Sequence, residues 1–184
     1  MIYYGSKELA QSFRTVRKNT IAVAEDIPEE HYGFRAAPGT RTVAQTLVHI
    51  AVSPRYHEQV HRIERRTNFD GFDFFSVFGA LGAEEQVARS KAEITGMLRA
   101  DGEKFAQWLE GLPEDFLSQQ VAMPQGATPP SKSRFELLMS AKEHEMHHRG
   151  QLMVVERMVG IVPHLTREMQ ARIAAVQAKP GNQR

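Results

Sequence analysis

The chain of 184 residues is long enough for one domain and short for two, and its 41% hydrophobic content suffices for a buried core. Lys and Arg number 23 against 22 Asp and Glu, so nothing marks the surface as a nucleic-acid or anionic-membrane footprint. The absence of cysteine excludes disulfides, thiolate ligands and a cysteine nucleophile together, leaving any metal chemistry to His, Asp and Glu.

The opening "MIYYGSKELAQSF" lacks a basic start followed by an apolar run, which predicts no signal peptide. No apolar run approaches the ~20 residues of a membrane span. A cytoplasmic chain folded as a single domain over residues 1–184 is the expectation.

Apolar residues recur at helical spacing in four long segments. The first runs from about Gly5 to Asp26, carries Leu9, Phe13, Val16, Ile21 and Val23, and stops at "IPEE". The second opens at "TVAQ", where Thr42 and Gln45 have the spacing of a capping box, and continues through "TLVHIAVSPRYHEQVHRIERR". Pro54 lies inside it, so a kink or short break is expected just before that residue. The third is read from about Glu84 to Leu112, with Val87, Ile94, Leu98, Phe105, Trp108 and Leu109 on its stripe. The fourth begins at a second capping box, Ser133 and Glu136, and runs to about Val159. A shorter helix follows from Thr166 to Ala178, ahead of a polar tail, residues 179–184, read as disordered.

"TNFDGFDFFSVFGALGA" joins the second and third segments and is too long for a tight antiparallel turn. It reads as a crossover carrying Phe69, Phe72, Phe74, Phe75 and Phe78 over the bundle, as a lid or as core plugs. Strand-like alternation is not sustained anywhere. An all-α four-helix bundle with a long crossover between helices two and three, and a short C-terminal helix, follows.

"EHEMHHRGQL", Glu143 to Leu152, holds three histidines within five residues. His144 and His148 are one helical turn apart on one face. Leu137, His144, Gln151 and Met158 fall at one heptad position, and Ala141, His148 and Val155 at the matching one, so both histidines should face the core. His147, about 100° round the helix from His148, should be peripheral, and Glu145 should point outward. On the second helix, His49 sits among Leu47, Val48, Ile50 and Val52 and offers a third imidazole. Three histidines with an open fourth position have the donor set of a catalytic zinc or nickel centre. The plain alternative is a bundle whose buried histidines hydrogen-bond core polar groups without a metal.

"HEMHH" and "HEQVH" also match H-E-x-x-H, the metalloprotease signature. The metzincin extension fails after His148, since the glycine arrives early at Gly150 and position 154 is valine. Glu156 lies on the same helix and cannot return to the metal, and a substrate-binding strand has no candidate, which argues against a protease. His57 and His61 stand among Arg55, Glu58, Arg62 and Arg65 and read as a solvated face, not as a second metal pair.

"PGTRTVAQTLVHIA" (Pro38 to Ala51) followed by "EHEMHHRGQL" resembles the DinB-like superfamily, including its YfiT-type metal-dependent hydrolases. The resemblance spans most of the chain. It implies a bundle of up-down-down-up order, a divalent metal, often nickel or zinc, and homodimers. It also implies metal ligands that carry over to His49, His144 and His148. Some members are similar to transferases that use a low-molecular-weight thiol. The expected function is therefore a metal-dependent hydrolase or thiol S-transferase acting on a small molecule, with any thiol brought as a cosubstrate. Gln151 is a candidate to hydrogen-bond and orient a ligand histidine, no protein general base is identified, and nucleic-acid and membrane partners are not expected. The rival is a non-catalytic metal- or ligand-binding bundle.

Overall fold

Side-chain caps decide where three of the long helices begin. The computed structural model describes residues 4–178; the tail expected from residue 179 onward lies outside them. Helix α1 spans Ser6–Asp26. Helix α2, Val43–Val52, starts at a reciprocal cap: the Gln45 N–H donates to Thr42 Oγ1 (3.1 Å) and the Thr42 N–H to Gln45 Oε1 (3.0 Å). Pro54 interrupts the helix as expected, α2 ending at Val52 and α3 running Pro54–His57, followed by a π-helical stretch Glu58–Ile63. Ser53 between them keeps helical dihedrals (φ −51°, ψ −38°), so the proline costs a hydrogen bond without redirecting the chain.

The third predicted helix is two. Helix α4, Phe74–Gln86, lies largely within the segment read as an irregular crossover, and α5 spans Lys91–Glu110. Asp73 caps α4 by accepting from the Ser76 N–H (2.9 Å), and Arg89 closes its other end on the Glu84 carbonyl (2.6 Å). Ser90 and Glu93 form the cap that restarts the chain as α5. Val87, placed on a core stripe from its spacing, is exposed in the link between the two.

The connection to the last long helix also holds more structure than its sequence suggested: a short helix α6, Glu114–Ser118, and an antiparallel pair, β1 Gln120–Ala122 with β2 Ser131–Ser133. Helix α7, Arg134–Met158, begins at the predicted Ser133/Glu136 box, and α8 spans His164–Gln177.

Helices α1 and α2 occupy diagonal positions, each packed against both α5 and α7. Cross-links fix the directions. Arg14 pairs with Glu103 and Glu110 while Lys91 donates to the Glu25 and Ile27 carbonyls, so α1 and α5 are antiparallel. Arg149 reaches the Val16 carbonyl while Tyr4, just ahead of α1, meets Phe135 in the first turn of α7, so α1 runs parallel to α7. His49 meets His144 while His61 meets Arg134, making α2 antiparallel to α7. The order is up-down-down-up, in an all-α four-helix bundle.

The apolar interior forms three blocks, a small one of Val60, Phe69, Phe72 and Val121 and two larger ones along the bundle axis. Ile21, Ala24, Leu47, Ile94, Leu98 and Leu152 belong to one, and Leu9, Phe13, Phe105, Leu109 and Leu138 to the other. Arg17 and Glu145, both buried, stand between them in sequence on their helices. No helix of the described residues is long and apolar enough to cross a membrane.

Candidate metal centre

The two helices that carry the predicted ligands bring them together. His49 Nε2 lies 3.1 Å from His144 Nε2, and His148 Nε2 lies 3.1 Å from the same atom. One ring nitrogen from each of the three residues falls within 4.8 Å of the other two. Among the described residues, no other trio of His, Asp or Glu converges in this way.

The far side of two rings is anchored. His49 Nδ1 is 2.8 Å from Glu85 Oε1, and Glu85 in turn accepts from Arg41 Nε (2.6 Å) and Nη2 (3.2 Å). His148 Nδ1 is 2.8 Å from Gln151 Oε1. A carboxylate and an amide oxygen only accept, so both Nδ1 atoms carry the proton and both Nε2 atoms present lone pairs to the centre. His144 Nε2 can donate to one of them at most. At least one contact therefore sets lone pair against lone pair, an arrangement that a cation at the focus relieves. The 3.1 Å separations are close to the ~3.3 Å edge of a tetrahedron with ~2.05 Å metal–nitrogen bonds. The donor set fits a divalent metal.

Electrostatics favour the ligating protonation state. Burial lowers the pKa of all three imidazoles; for His49 the Glu85 hydrogen bond offsets part of the shift, and His144, further disfavoured by His148 and His49, falls to about 4. Neutral rings are what a metal needs. Burial alone would raise the Glu85 carboxyl, but Arg41 and His49 outweigh it and keep the group ionised.

Glu85 is the site residue that sequence reasoning missed. It falls at the start of the predicted third helix but stands near the end of α4, most of which lies in the predicted crossover, and the Asp73 cap is the sequence signal of the element that delivers it. Gln151 is exposed, contrary to its inward heptad assignment, yet its amide reaches back to His148 and also contacts His147 Nε2 (3.1 Å). The buried row of α7 is Leu138, Ala141, Glu145, His148, Leu152 and Val155, one residue off the predicted frame at every second step. His144 consequently sits partly buried at the edge of that row, and His147 is peripheral as expected.

Two further expectations are corrected. Glu145 does not point outward: it is 2% exposed and paired with Arg17 at 3.0 Å. His57 and His61 do not form a solvated face either. Both are buried and stacked on each other, His61 Nδ1 accepting from Arg134 Nη1 (2.9 Å), while Arg62 and Glu58 pair on the outer side.

A cavity of about 870 Å³ opens beside the centre, lined by Phe34, Arg41, Val43, Glu85, His148 and Leu152 among others. No crossover phenylalanine lines it. Phe69 and Phe72 are buried with Val60 and Val121 as core plugs, whereas Phe75 is 94% exposed.

Comparison with known proteins agrees with this fold. The DinB family model matches residues 2–179. The chain belongs to the DinB family. YjoA of Bacillus subtilis is 23% identical over 155 residues, covering 84% of this chain and 91% of YjoA. The crystal structure of YjoA, a DinB-like protein, superimposes with a TM-score of 0.59 at 24% identity, over 83% of this chain and 92% of that one. YfiT from Bacillus subtilis, called a probable metal-dependent hydrolase with an unusual four-helix bundle topology, gives a TM-score of 0.65 at 15% identity, over 88% and 91% of the two chains.

Proposed function

We propose that this DinB-family protein is a metal-dependent enzyme, a hydrolase or a transferase using a low-molecular-weight thiol, with His49, His144 and His148 holding a zinc or nickel ion. The observation that carries the reading is the convergence of three Nε2 atoms, with the rings of His49 and His148 fixed from behind by Glu85 and Gln151. A divalent cation there would acidify a water or thiol placed against it.

The chain's own residues do the rest. Glu85 holds His49 in its Nδ1–H tautomer, and Arg41 keeps that carboxylate ionised and oriented. The cavity beside His148 combines apolar walls, Val43 and Leu152, with polar groups of Arg41 and Gln151, which suits a small molecule of mixed character. A thiol must come as a cosubstrate, since the chain has no cysteine.

We also infer a homodimer, supported by the exposed apolar row Met169, Ile173 and Val176 on α8; a monomeric mass in sedimentation would contradict it. The activity is tested by assaying ester and amide hydrolysis, and thiol addition to electrophiles, on metal-loaded and chelator-stripped protein. Turnover that is lost on stripping and restored by zinc or nickel is expected. Stoichiometric metal without turnover in either assay would favour a non-catalytic binding bundle.

A further inference from the structure

Arg17, on α1, is a charged residue at the centre of the bundle, 4% exposed, and its guanidinium bonds to α2, α5 and α7. Its Nε is 3.0 Å from both oxygens of Glu145 on α7. Nη1 donates to the Leu98 carbonyl on α5 (2.8 Å), and Nη2 to the Ile50 carbonyl on α2 (3.2 Å). Ile50 follows His49 in the chain, and Glu145 follows His144.

Two backbone peculiarities accommodate this one side chain. In an α-helix the carbonyl of residue 50 accepts from the N–H of residue 54. Position 54 is proline and has no N–H, so the Ile50 carbonyl is left for Arg17. On α5, Gly102 sits where a Cβ would lie 2.8 Å from Arg17 Cγ and from Nη1. Glycine is a poor residue for a helix interior, but here it leaves space for the guanidinium and its stem. A proline in one helix and a glycine in another thus serve the same group.

We propose that Arg17 is the positioning residue of the three-histidine centre. By bridging Ile50 and Glu145 it fixes the axial and rotational setting of α2 against α7, so that His49 Nε2 is already converged on His144 and His148 when a metal arrives. The inference rests on reading that centre as a metal site. A buried ion pair is commonly no more stabilising than apolar residues of similar volume, so replacing both partners need not unfold the bundle. The role assigned to the pair is registry.

The test is Co²⁺ titration of metal-free wild type, the double variant Arg17→Met/Glu145→Leu, and Gly102→Ala, followed by visible absorption, with far-UV circular dichroism to verify the fold. The double variant should keep its helicity, bind Co²⁺ about ten- to a hundredfold more weakly, and show altered d–d bands. Gly102→Ala, which displaces the guanidinium without removing a charge, should shift affinity and spectrum in the same direction, and it serves alone if the double variant does not fold. Wild-type affinity and spectrum in folded variants would overturn the positioning role while leaving the metal site standing. A wild type that binds no Co²⁺ would overturn both.

Discussion

His49 Nδ1 and Glu85 Oε1 meet at 2.8 Å across the contact between α2 and α4, which makes the crossover helix part of the candidate centre. The carboxylate fixes the tautomer and raises the basicity of the opposite nitrogen. Glu85→Ala should weaken zinc binding about ten- to a hundredfold, and Glu85→Gln less, because an amide oxygen still accepts from Nδ1. Competition against a chromophoric chelator measures this. Wild-type affinity in Glu85→Ala would remove Glu85 from the site.

The buried pair His57 and His61 should make metal-free protein acid-sensitive. Burial lowers His57 to about 3 and His61 to about 4, from 6.5. Below pH 6.5 the unfolded chain binds protons that the folded chain refuses, so stability is full above that pH and declines as it falls toward 4. Each histidine adds a slope of up to about 1.4 kcal/mol per pH unit. Urea unfolding between pH 7 and 4 should show the decline, and His57→Phe should flatten it. An equally steep decline in that variant would contradict the assignment.

Glu156 works in the opposite sense. It is fully buried on α7, neither carboxylate oxygen has a hydrogen-bond partner, and burial raises its pKa to about 7. The folded state holds the proton more tightly than the unfolded chain, so this group's contribution is present below pH 4.5 and is lost as pH rises through 7. Glu156→Gln should therefore stabilise the protein at pH 8 by about 1–3 kcal/mol and have little effect at pH 4. Thermal melts at the two pH values decide it. A destabilised variant at pH 8 would show that the ionised carboxylate has a role of its own.

The crossover phenylalanines divide by burial. Phe72→Ala should cost about 3–5 kcal/mol and leave metal affinity unchanged, because the ring plugs a core block away from the histidines. Phe75→Ala, at an exposed position, should stay within about 0.5 kcal/mol of wild type. Chemical denaturation of both variants checks the division, and a metal-affinity change in Phe72→Ala would restore a lid role.

Much of this architecture is legible in sequence because its signals are local. The Thr42/Gln45 and Ser133/Glu136 boxes mark their helix starts, and Pro54 marks its break. His49, His144 and His148 stand out because apolar periodicity places imidazoles near a core. The misplaced residues depend on partners far away in the chain. Glu145 turns inward because Arg17, 128 residues earlier, neutralises it. His61 is buried because Arg134 reaches it, and Glu85 arrives through an α4 whose exposed phenylalanines hide its helical pattern. A charged side chain reads as solvated until its counter-ion is known.

The most direct test is metal content by elemental analysis, on protein purified without a histidine tag, for wild type and for His49→Ala, His144→Ala, His148→Ala and His147→Ala. Near-stoichiometric zinc or nickel is expected in wild type and in His147→Ala, with its loss in the other three. A wild type that carries no divalent metal and cannot be loaded with one would contradict the account, and so would retention of metal in any of the three ligand variants.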